Sequence, residues 1–129
     1  MTKHLGIKIA RPLDQVYSFL MQPANFPKWA TGLVGSLHAL GDGNWRIETP
    51  AGPMKVRFSE VNSLGILDHW LETEDGDTIY VPIRVIANQG ASEALLTLFQ
   101  RSGMADDEFA RDAEWVMRDL RGLKELLER

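Results

Sequence analysis

Residues 106–128, DDEFARDAEWVMRDLRGLKELLE, decide how the rest of the chain is read. Phe109, Ala113, Val116, Leu120, Leu123 and Leu127 recur at alternating spacings of four and three, which predicts a long helix with one continuous apolar stripe. Asp106, Asp107 and Glu108 open it, and three carboxylates there complement the positive end of the helix dipole without any need for a metal. Met104 and Phe109 hold the two positions of a hydrophobic staple and Glu108 the capping-box position. That spacing makes Ala105 the cap, a residue with no side chain to offer the first free N–H groups. Trp115 lies roughly 120° off the stripe, at an edge or on the surface.

Upstream, from Val34 to Arg101, the apolar period changes to two, and six strands are predicted at about 34–40, 44–49, 53–61, 66–73, 78–87 and 91–100. Gly41-Asp42-Gly43, Ala51-Gly52, Asn62 to Gly65, Asp75-Gly76 and Gln89-Gly90 separate them. Such short connections make successive strands antiparallel neighbours. Further back, Lys3 to Ala10 alternates around Leu5, Ile7 and Ile9, a strand with one buried face. Pro12 and Asp14 then open a helix with the stripe Leu13, Val16, Phe19 and Leu20. Pro23 stops it, and Asn25 to Ala30 forms a short second helix with Phe26 and Trp29 on one side.

Turn lengths set the register, and register sets the faces. A two-residue Ala51-Gly52 turn places Trp45 opposite Phe58, Ile47 opposite Val56 and Thr49 opposite Met54. Glu48 then opposes Lys55, and Arg46 opposes Arg57, on the solvent side. A two-residue Gln89-Gly90 turn sets Val85, Ile83 and Val81 against Ala94, Leu96 and Leu98. A three-residue Glu74-Asp75-Gly76 loop, with glycine in the left-handed region, puts Leu67, His69 and Leu71 beside Ile79, Val81 and Ile83 on the concave face. Asp68, Trp70, Glu72, Tyr80 and Arg84 go to the convex face. In that register His69 is the one strongly polar ionisable side chain placed on the concave face of the central strands.

The composition limits the function classes. One domain spanning 1–129 is the natural expectation for 129 residues with 44% hydrophobic and 25% charged content. A net charge of −4 argues against nonspecific nucleic-acid binding. No cysteine is present, which removes disulfides, thiol catalysis and cysteine metal sites. Met1 to Arg11 carry no apolar run suited to a signal peptide, and no stretch approaches ~20 apolar residues, so a cytoplasmic protein without membrane insertion is expected. His4, His38 and His69 lie on separate strands without ligand spacing, so no metal is expected. Phosphate-loop, dinucleotide and serine-nucleophile motifs are absent, and no cofactor is expected.

The order strand, two helices, six strands, long helix is the helix-grip arrangement. The opening RPLDQVYSFLMQPANFPKWATG, with Asn25, Pro27 and Trp29, resembles the polyketide cyclase/dehydrase-type branch of the START-like (SRPBCC) superfamily. GILDHWLETEDGDTIYVPIRVIANQGASEALLTLF and GMADDEFARDAEWVMRDLRGLKELLE resemble the sheet and last helix of small uncharacterised members. The resemblance covers nearly the whole chain. It implies an α+β fold, β-α-α-β6-α, whose seven-stranded curved antiparallel sheet wraps the C-terminal helix. Members range from lipid carriers to cyclases, hydrolases and partner-binding proteins, so fold alone names no activity.

The expected ligand contacts are Trp29, Trp45, Met54, Phe58, His69, Leu71, Val81, Leu96, Val116 and Met117, an apolar lining with His69 as its polar point. Three readings stand. The first is a binder of a small, apolar or amphipathic molecule held between sheet and helix. The second is a cofactor-independent cyclase, dehydratase or hydrolase with His69 as general base, for which only Glu60 and Tyr80 offer partners. Asp68 is adjacent in sequence but on the opposite face, so it does not orient His69. The third is a protein-interaction module using the convex face, where Trp70, Tyr80, Ile86, Leu95 and Phe99 form an apolar patch suited to a homodimer. Arg84 is read as part of a solvated ladder with Asp68, Glu72 and Glu93.

Overall fold

Residues 1–31 and 37–129 are described by a computed structural model of the chain. Strand β1 (Thr2–Ile9) leads into α1 (Leu13–Leu20), which starts directly after Pro12. A 3-10 turn at Pro23–Asn25 runs into α2 (Phe26–Trp29), so the expected second helix is one turn of each kind. Its hinge is Asn25, a buried residue whose amide donates to the Phe19 carbonyl at 2.9 Å. Then follow β2 (His38–Gly41), β3 (Asn44–Thr49), β4 (Gly52–Phe58) and β5 (His69–Glu72). The remaining elements are β6 (Thr78–Val81), β7 (Ile83–Asn88), β8 (Ala91–Phe99) and α3 (Asp106–Glu128). The part of the first predicted sheet strand that falls at 34–36 lies outside the described residues.

The strand expected at 78–87 is two strands. Pro82 has no N–H to give a ladder, so the chain changes partners there. Before it, β6 pairs with β5; after it, β7 pairs with β8. The hydrogen-bonded orders are β1-β8-β7 and β2-β3-β4-β5-β6, two antiparallel sheets joined through Val81-Pro82-Ile83 into one curved surface. The bridge between Ile66 and Arg84 and the Leu67 N–H donating to Ile83 O at 2.9 Å knit the junction. Segment 59–68 is mostly loop rather than the ends of two long strands. The Asn62 side chain organises it, donating to Glu60 O and Ile66 O and accepting from the N–H groups of Leu64 and Ile66.

Two of the three registers hold. The Glu74-Asp75-Gly76 loop is three residues long with Gly76 at φ +87°, and His69 opposes Val81 while Leu71 opposes Ile79. Ile83 opposes Leu96 and Val85 opposes Ala94 across the Gln89-Gly90 turn. Val81 does not reach Leu98, because it belongs to β6. The β3–β4 hairpin is shifted by two residues: Thr49 opposes Gly52, Ile47 opposes Met54 and Trp45 opposes Val56, with Pro50-Ala51 at the tip. Arg46 therefore opposes Lys55, and Glu48 opposes Pro53. The left-handed glycine, Gly52 at φ +108°, sits just beyond the tip rather than within it. A shift of two preserves every face.

Helix α3 begins where the staple spacing sets it. Ala105 is the cap, extended at φ −70° and ψ 152°, with no side-chain capping bond. Ala105→Ser is expected to raise stability by about 1 kcal/mol, because the hydroxyl would accept a free N–H of the first turn. An unchanged denaturation midpoint would contradict this. The stripe residues Phe109, Ala113, Leu120, Leu123 and Leu127 are buried, and Val116 is half-buried. Leu123 and Leu127 join Ile9, Val16, Phe26, Trp29, Val81, Ile83, Val85, Ala94 and Leu96 in the main core. Trp115 is 45% exposed, as its angle off the stripe requires.

Candidate functional site

His69 stands on β5 between two neighbours fixed by strand pairing, Phe58 on β4 and Val81 on β6. All three point into the concave face, where α2 closes over them. Helix α2 starts with Pro27 in its first turn and ends at the extended Ala30, and it delivers Phe26 and Trp29 from one side of a single turn. Four rings meet. The Phe26 ring lies 5.3 Å from His69, 5.3 Å from Phe58 and 5.6 Å from Trp29, each edge to face. The Phe58 and His69 rings are 6.0 Å apart. Leu20, Leu67 and Ile83 complete the lining around a void of ≈ 10 Å³, at the lower limit of what holds one water.

The cluster has two polar groups. Burial among apolar rings pushes the His69 imidazole down from 6.5 to about 4, so it is neutral at neutral pH. Among the described residues it has no hydrogen-bond partner. The Trp29 indole Nε1 is fully buried with no partner among them either. Buried donors are nearly always satisfied, so an orphaned one asks for an explanation. Neither proposed partner for acid–base work reaches the site: Glu60 is exposed on the loop, and Tyr80 faces the other side of the sheet.

The other expected contacts are dispersed. Val81 and Leu96 are buried in the main core, and Leu71 and Val116 pack against it half-buried. Trp45 is half-buried on β3 opposite Val56. Met54 lines a shallow groove near the β3–β4 tip with Leu40, Arg46, Lys55 and Glu72. Met117 lines a separate groove beside β1. Phe26, the ring that touches each of the others, was absent from the expected set. Its position three residues before Trp29 was the available signal.

Two polar clusters were also missed. Asp68 is not in a solvated ladder; it is 5% exposed and ion-paired to Arg84. It also accepts from the Tyr80 hydroxyl at 2.6 Å and the Ile83 N–H at 3.0 Å. The partner change at Pro82 brings the Ile83 amide to it. On α3, Asp119 is 9% exposed and accepts from the Thr31 hydroxyl at 2.6 Å, while the Trp115 indole N–H donates to that hydroxyl at 3.0 Å. Burial raises the Asp119 carboxyl above its ordinary range, against the Thr31 hydrogen bonds that lower it. This contact ties the end of α2 to α3 just after Trp29.

On the convex face, Trp70, Tyr80 and Phe99 stack in a row at 5.4 and 6.3 Å, and the Arg57 guanidinium covers Trp70 at 4.4 Å. Among the described residues no group of three His, Asp or Glu side chains is placed to hold a metal, and no helix is long and apolar enough to cross a membrane.

No protein-family model and no curated protein sequence matches the chain. Solved structures do. A START superfamily protein from Mycobacterium smegmatis superposes with a TM-score of 0.73 at 12% identity, covering 98% of both chains. The Ara h 8.0201 structure gives 0.71 at 11% identity, over 99% of this chain and 97% of that one. The di-domain ARO/CYC BexL of the BE-7585A biosynthetic pathway gives 0.75 at 19% identity, with 99% of this chain covering 46% of that protein. At these identities the likeness is one of architecture: an antiparallel sheet gripping a long C-terminal helix. The chain has the START-like, helix-grip fold.

Proposed function

We propose that the chain binds a small, largely apolar molecule on the concave face, with the Trp29 indole N–H and His69 as its polar contacts. The orphaned, buried Trp29 donor beside a neutral imidazole in an aromatic lining carries this reading. A ligand carbonyl or hydroxyl would satisfy the indole, and a ligand hydroxyl would satisfy an unprotonated ring nitrogen. The void of ≈ 10 Å³ means that the ligand must displace rings, and two of them, Phe26 and Trp29, are carried together on the single turn of α2. Binding-type folds among the structural neighbours are compatible with it.

Catalysis by His69 has less support. A base near pKa 4 is poorly matched to proton abstraction at neutral pH, and among the described residues no second acid or base is placed beside it. Thermal shifts across a panel of lipids, aromatics and polyketide-like acids test the binding reading. A compound that raises the wild-type midpoint should lose affinity about tenfold in Trp29→Phe, which deletes the indole donor and keeps an aromatic ring. Equal shifts in both proteins would overturn the role of Trp29.

A second reading, self-association through the convex face, rests on Tyr80, Ile86 and Phe99 at 38, 53 and 42% exposure. It predicts a dimer mass by light scattering at tens of micromolar protein; a monomer mass rejects it.

A further inference from the structure

Helix α3 runs along β1, tied to it by the Lys124 ammonium donating to Lys8 O at 2.9 Å and by Glu128 accepting the Ala10 N–H at 2.7 Å. Nearer its start a groove lies between the two elements. There α3 presents Ala110 and Ala113 toward Lys3 and Leu5, and the short side chains leave an open groove of ≈ 470 Å³, within the range of small-molecule sites. Residues 110, 113, 114, 117, 118 and 121 share that face of the helix by their spacing of three and four. The floor is apolar: Leu5, Ala113 and the half-buried Met117.

The rim is basic. Lys3, Arg118 and Arg121 stand around the groove with Glu114 as its one carboxylate. Among the described residues none of the three cations forms an ion pair. Two are held in place by rings instead, Lys3 over Phe109 at 5.6 Å and Arg118 over Trp115 at 5.2 Å. A chain of net charge −4 thus gathers three cations against one acid around a groove whose floor is Leu5, Ala113 and Met117. We infer that this groove is a second binding site, for a small organic anion: a carboxylate or phosphate carried on a compact apolar body. The anion would sit among Lys3, Arg118 and Arg121, where planar guanidinium forks suit it, and the apolar body would lie on Leu5 and Met117.

The probe is 4-phenylbutyrate, with 4-phenylbutylamine as the same body bearing the opposite charge. The readout is the Met117 methyl resonance in protein labelled at methionine methyls. Phenylbutyrate should shift the Met117 signal saturably, and the amine should bind at least about tenfold more weakly. The double variant Arg118→Gln/Arg121→Gln should weaken phenylbutyrate by about tenfold or more. Ala110→Trp, which plugs the groove from an exposed position, should abolish the shift. His69→Phe should leave it unchanged, which separates this site from the concave one. No saturable Met117 shift at millimolar probe, equal binding of acid and amine, or sensitivity to His69→Phe in place of Ala110→Trp would each overturn the inference.

Discussion

Asp68→Ala is expected to destabilise the protein by about 3 kcal/mol, because it leaves a buried amide, a half-buried guanidinium and a phenol without their common acceptor. Asp68 accepts from Ile83 N–H, Tyr80 OH and Arg84 together. These three donors lie on either side of Pro82, where the strand leaves β5 for β8. The carboxylate therefore holds the seam between the two sheets. The midpoint of thermal unfolding should fall by on the order of 10 °C for a chain of this size. Asp68→Asn should lose less, since its amide oxygen still accepts from Ile83 while the ion pair is gone. A midpoint within a degree or two of wild type for Asp68→Ala would refute the seam.

His69 gives the second large effect, a pH dependence. The unfolded imidazole titrates near 6.5 and the folded one near 4. As pH falls through that window the unfolded chain takes up a proton that the folded chain refuses. The stabilisation is fully present above 6.5 and is lost progressively toward 4, by about 3 kcal/mol for a displacement of this size. Phenylalanine does not titrate, and the cost of fitting its larger ring beside a void of ≈ 10 Å³ is the same at every pH. The stability of His69→Phe relative to wild type should therefore rise steadily from pH 7 toward pH 4 in urea unfolding. The raised carboxyls of Asp112 and Asp119 are common to both proteins and cancel in the difference. A pH-independent gap between the two proteins would mean that His69 is not held neutral.

The helix start at Asp106, the concave position of His69 and the convex row of aromatics were legible in the sequence, because local patterns decide each. Staple spacing placed the helix, and a glycine at Gly76 determined the loop length that set His69 inward. Where the reading failed, the cause lay in contacts between distant segments. The sequence pattern makes Gly52 a residue of the turn itself, but Gly52 takes its left-handed angle one step past a Pro50-Ala51 tip. The Pro82 break was visible in principle, since proline inside a paired strand is a warning. What it would do to Asp68 was not, because a carboxylate on a convex face is ordinarily solvated. The burial of Asp119 depends on Thr31, 88 residues earlier in the chain, and no periodicity reports that. The ligand lining was scattered for a related reason. Alternation gives the face of a residue, while the distance from sheet to helix decides whether side chains such as Phe26 fill the space.

Native mass spectrometry of protein purified from its own host tests the central claim most directly, with any retained molecule extracted and identified. The account predicts a stoichiometric apolar ligand carrying a carbonyl or hydroxyl, retained by wild type and lost from Trp29→Phe and His69→Phe. A protein that emerges without any retained molecule, and that no member of the ligand panel stabilises, would contradict it.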